Sequence, residues 1–182
     1  MFMIHTLFAQ YRNYKLQELA DHFYKEYYTT MEGLCKSAGV AANKLRGKGA
    51  AIMEHLLPYT KVVAEIKEYL LYRKDILFPY LGELSRKNKE GHDCSACKGG
   101  CKTAHMGIVM DVAVSHAHIH NTLEEIKAVS LQEKDVPDEY ERKMLQNELS
   151  LLESMLTELY YLEQEVLLPK IKNAQKNIHA NS

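Results

Sequence analysis

The chain has 182 residues, 46% of them hydrophobic, with 23 basic against 24 acidic residues and a formal net charge of −1. That length and composition suit one domain with a sizeable core, and the charge balance offers no basic field for nucleic acid or an anionic membrane surface. No stretch approaches the ~20 consecutive apolar residues of a membrane-spanning helix, and the opening MFMIHTLFAQYRN lacks the basic start and unbroken apolar run of a signal peptide. A cytoplasmic protein is expected, with its four cysteines reduced unless they hold a metal.

With four prolines, nine glycines and many Leu, Glu, Lys and Ala residues, the chain shows 3.6-residue periodicity and almost no β-type alternation. An all-α protein follows. The first long helix is expected from about Tyr14 to about Lys36, with Leu16, Leu19, Phe23, Tyr27, Thr30 and Leu34 on one stripe and Gly39 as a stop signal. A short helix over about 49–57 leads into a second long one, in which Pro58 suits a helix start and Val62, Ile66, Tyr69, Arg73 and Ile76 form the stripe. Pro79 should bend or end it.

Residues 87–102 are polar and carry Gly91, Gly99 and Gly100, the pattern of a loop. A third helix, about 103–130, sets Ile108, Val112, His116, Ile119, Leu123 and Ile126 on one face. After QEKDVPD, a fourth begins near Asp138, with Leu149, Leu152, Leu156, Leu159, Glu163 and Val166 on its stripe. The arrangement expected is a single domain over residues 1–182: an up-down-up-down four-helix bundle of two hairpins, about 14–86 and 103–178, joined by a Cys-rich loop.

Each stripe carries a polar residue near its middle: Tyr27, Arg73, His116 and Glu163, with Tyr69 one turn before Arg73. A charge in a core requires a partner, a metal or a water-filled cavity, because burying it alone costs several kcal/mol at least. If the helix phase is displaced by one position, Arg73 and Glu163 instead snorkel at the surface. A near-repeat bears on the choice: LYRKDILFPYL at 71–81 and YLEQEVLLPKI at 161–171 end in the same aliphatic run and proline, and aligning them sets Arg73 over Glu163.

These segments, with ELADHFYKEYYTTM at 18–31 and SHAHIHNTLEEIKAV at 115–129, resemble the hemerythrin-like (HHE) family over nearly the whole chain. The likeness is greatest to the group of iron-sulfur cluster repair and nitric oxide signalling proteins. It implies a four-helix bundle whose six di-iron ligands would fall on Tyr27 or Tyr28, Tyr69, Arg73, His116, Leu159 and Glu163. Only His116 and Glu163 are of the family's ligand types, so a di-iron centre is not expected. In the family the carboxylates at the positions of Arg73 and Glu163 bridge the irons. The expectation is therefore a buried Arg73–Glu163 ion pair in the vacated site, with Tyr27, Tyr69 and His116 completing its hydrogen bonds. A rival arrangement keeps a metal in the bundle on His116, His120 and Glu163, since the two histidines lie one helical turn apart.

The segment HDCSACKGGCKTAH at 92–105 places Cys94, Cys97, Cys101 and His105 at spacings suited to a tetrahedral Cys3His zinc site. Free thiols, a redox-labile disulfide, copper or an iron-sulfur cluster are compatible with the same cysteines, and Cys35 reads as a core residue. No nucleophile–base set or phosphate-binding glycine loop can be assembled. Three functions stand open: a non-enzymatic sensor or adaptor in the setting of iron, oxygen or nitric oxide stress, with a protein or small-gas partner; an active iron-binding protein of iron-centre repair or gas binding; and a thiol redox switch. The tyrosines of YYTTM and LYYLE leave room for a homodimer face.

Overall fold

The computed structural model describes residues 9–46, 50–91 and 139–180, together with 107, 110, 111, 114, 115 and 117–124; side chains of 50–58, 139, 179 and 180 lie outside the description. The protein is all-α, with four helices and no strand among the described residues. A short 3-10 turn, Ala9–Asn13, precedes α1, which joins Leu16–His22, Phe23–Tyr28 and Thr29–Arg46 without a break. Helix α2 joins Ala50–Tyr72, Arg73–Leu77 and Phe78–Glu90; α4 joins Glu139–Leu162, Glu163–Leu167 and Leu168–Ala180. The described residues between 107 and 124 are helical and belong to α3.

The middle stretch of α1, α2 and α4 is in each case a π turn, with backbone bonds running i→i+5: Thr29 N–H donates to Tyr24 O, Phe78 N–H to Arg73 O and Leu168 N–H to Glu163 O. Wider turns take more residues per revolution, and this explains where the expected stripes miss. After Tyr27 the inward face passes to Tyr28 and Met31, so Thr30 is exposed; after Arg73 it passes to Leu77, so Ile76 is 46% exposed. Leu34 is only half-buried, and Cys35 takes the core position. The α4 stripe stands as expected, with Leu149, Leu152, Leu156, Leu159, Glu163 and Val166 all buried.

Helix boundaries also differ from the expected ones. Helix α1 runs through Gly39 to Arg46 because Ala38 just before it and Ala41, Ala42 and Leu45 beyond it are buried, which outweighs the ~1 kcal/mol that glycine costs in a helix. Helix α2 begins at Ala50 and continues through Pro58, held downstream by the buried Tyr59, Val62, Val63 and Ile66. Neither late proline ends its helix. Pro79 and Pro169 each occupy the first turn of the α-helical stretch that follows a π turn, where a missing N–H removes least. The α2 helix extends past Lys87 to Glu90 and stops at Gly91, whose left-handed φ of 69° lets its N–H cap Lys87 O.

Helix α1 packs along both neighbours, Thr29–Arg46 lying against Ala50–Tyr72 and against Glu139–Leu162. The stretches Phe78–Glu90 and Leu168–Ala180 pack on each other, and Leu16–His22 packs on Phe78–Glu90. The π turns of α2 and α4 lie between these contacts, at the centre of the molecule.

Candidate functional site

Arg73 opens the π turn of α2 and Glu163 opens that of α4, and the two side chains meet with no exposure on either. The contact is a fork on a carboxylate: Arg73 Nε donates to Glu163 Oε1 at 2.8 Å and Nη2 to Oε2 at 3.0 Å. This two-point geometry fixes orientation as well as distance, which a point charge such as lysine could not do.

Three further side chains enclose the pair. The Tyr69 ring lies under the guanidinium, with Arg73 Cζ 3.3 Å from its centroid, a cation–π contact that is strengthened by exclusion of water. The Tyr69 hydroxyl donates to Glu163 Oε1 at 3.3 Å, and the Tyr28 hydroxyl donates to the same oxygen at 3.5 Å. The remaining guanidinium nitrogen, Nη1, donates to the backbone oxygen of Tyr69 at 3.5 Å and to Ser115 Oγ of α3 at 3.4 Å. All four helices therefore contribute to one polar cluster inside an apolar core.

The environment sets the charge states. Burial alone would lower the Arg73 pKa, but the Glu163 carboxylate beside it reverses that effect, and the guanidinium is held charged far above any working pH. Tyr28 is pushed well above the ordinary phenol value by burial and by the negative Glu163, with Arg73 opposing. Tyr69 is pushed up likewise, chiefly by burial. Both phenols stay protonated and act as donors to the carboxylate.

Tyr27, expected in this cluster, is buried elsewhere. Its hydroxyl pairs with Glu158 and Tyr11, and its ring packs against His22 and Phe23. Burial and the hydrogen bond to Glu158 push its phenol pKa up. Tyr28 takes the central position because the π turn Phe23–Tyr28 rotates it inward, a displacement that ideal 3.6-residue spacing does not show. His120 is exposed, since Ile119 and Leu123 take the inward face of α3. His116 lies outside the described residues, as do Cys94, Cys97, Cys101 and His105.

On the outer side of α3, Tyr72 donates to Asp111 Oδ2 at 3.0 Å and His118 Nε2 lies 3.1 Å from Glu65 Oε1. Burial and this acceptor raise the Tyr72 phenol to about 12. Among the described residues, no three His, Cys, Asp or Glu side chains converge as a metal site, and no helix is long and apolar enough to cross a membrane. The resemblance left Tyr28 open as the alternative to Tyr27, while Ser115 carried no signal, since a small hydroxyl is ordinary in a helix. The chain matches no protein-family model, no curated protein and no solved structure.

Proposed function

We propose that this chain is a hemerythrin-like, up-down-up-down four-helix bundle that works as a non-enzymatic sensor or adaptor, with an ion pair where the family has a di-iron centre. The observation that carries the reading is the forked Arg73–Glu163 contact between equivalent positions of the two near-repeats. Both oxygens of the Glu163 carboxylate are engaged by a fixed cation, and that cation repels any metal ion brought beside it. Antiparallel packing of α1 on α2 and on α4 supports the bundle topology. The pattern Cys94, Cys97, Cys101, His105 supports a zinc clip in the connection between the hairpins. The setting of iron, oxygen or nitric oxide stress rests on the family resemblance.

Elemental analysis of protein purified without added metal tests the proposal, in the wild type, Cys97→Ser and Glu163→Ala. About one equivalent of zinc, lost with Cys97→Ser and kept with Glu163→Ala, is the expected result. Two irons in the wild type would overturn it. Free-thiol counts before and after mild peroxide separate the clip from a thiol switch: liganded thiolates are occupied in both samples, whereas switch cysteines are lost only after oxidation.

A further inference from the structure

The two near-repeats raise a problem of self-recognition. Segments 71–81 and 161–171 share their helical phase, their π turn and their proline, so the apolar surface of α2 that receives α4 is also a good surface for another α2. Apolar packing is non-directional and discriminates poorly between such partners. The position that distinguishes the two segments most sharply is the buried one, where one has a guanidinium and the other a carboxylate.

We propose that the Arg73–Glu163 pair is the specificity element by which the two halves of the chain recognise each other and reject their own kind. Pairing α2 with an α2 would bury two guanidiniums without an anion, and pairing α4 with an α4 would bury two carboxylates without a cation. Either arrangement carries uncompensated charge in a site with no exposure. Only the mixed pairing satisfies both groups, and the fork geometry also fixes its axial register, because Nε and Nη2 must meet Oε1 and Oε2 together. Tyr69 and Tyr28 sharpen the discrimination: both hydroxyls donate to the carboxylate, so they reinforce a site containing one anion and one cation.

Charge reversal in the full chain tests it. A chain carrying Arg73→Glu has two carboxylates at the site and a chain carrying Glu163→Arg has two guanidiniums, so each alone should lose its cooperative melt. Refolded together from denaturant, the two can exchange halves and restore a proper pair at both sites. The expected product is a folded species with one copy of each variant, identified by native mass spectrometry and by recovery of the melt. The reversed double variant, Arg73→Glu with Glu163→Arg, should fold alone and give the wild-type distribution of species. Arg73→Leu with Glu163→Leu keeps an apolar seam but loses the discrimination; after refolding it should populate non-native associations at least about tenfold more than wild type, the factor equivalent to ~1.4 kcal/mol. A neutral double variant with the same distribution of species as wild type would overturn the proposal. So would a mixture of the two single variants in which no mixed folded species forms.

Discussion

Arg73 and Arg86 lie on the same helix, the first fully buried against Glu163 of α4 and the second 58% exposed against Glu90 one turn along its own helix. The chemistry is the same and the setting differs. At the surface, water solvates both partners whether or not they touch, so the contact adds little. In the centre, each charge has been taken out of water at a cost of several kcal/mol, which the partner, the two phenols, the Tyr69 backbone oxygen and Ser115 offset. The central pair is therefore a poor source of net stability, yet it is intolerant of losing either member, and this asymmetry makes it able to specify a partner.

The largest expected effect comes from breaking the central pair on one side. Arg73→Leu and Glu163→Leu should each destabilise by roughly 3–5 kcal/mol, read from chemical denaturation, because each strands an unpaired charge in the core. Values near zero would mean that water reaches the site. High pH probes the same contrast without mutation. Tyr28 and Tyr69 have folded pKa values raised above the unfolded phenol value, so the stability they contribute is fully present below pH ~10 and is lost as pH rises further. Each phenol that ionises only on unfolding adds a slope of about −1.4 kcal/mol per pH unit. Ultraviolet tyrosinate titration should show these two unreactive until the fold gives way; early titration of all tyrosines would contradict their burial.

A smaller effect attends the enclosing groups. Tyr69→Phe and Tyr28→Phe each remove one long hydrogen bond to Glu163 and should cost about 1 kcal/mol in denaturant melts. The same measurement on Arg86→Ala should register no more than about 0.5 kcal/mol, vanishing at high salt. A larger loss at Arg86 than at Tyr69 would invert the comparison.

Helix number and the inward faces of α4 were legible in the sequence because burial imposes a 3.6-residue period that survives as pattern. The pairing of Arg73 with Glu163 was legible because a repeat aligned two unlike charges on apolar stripes. Tyr28 was not separable from Tyr27, since nothing in FYKEYY announces that its turn is π-helical. The same blindness placed Ile76 in the core in place of Leu77. Helix boundaries at Gly39 and Pro58 were misread for a different reason: a local breaker signals a cost of about 1–3 kcal/mol, and the tertiary burial that outweighs it is not written nearby. The exposure of His120 follows from Ile119 and Leu123 claiming the inward face of α3, which spacing alone does not show.

The central claim is that Arg73 and Glu163 act as one buried unit, and a double-mutant cycle in denaturation free energy measures this directly. With wild type, Arg73→Leu, Glu163→Leu and the double variant, the expected result is a double variant that recovers much of either single loss, leaving a coupling of several kcal/mol. Additive losses, with the double variant as destabilised as the sum of the two singles, would contradict it.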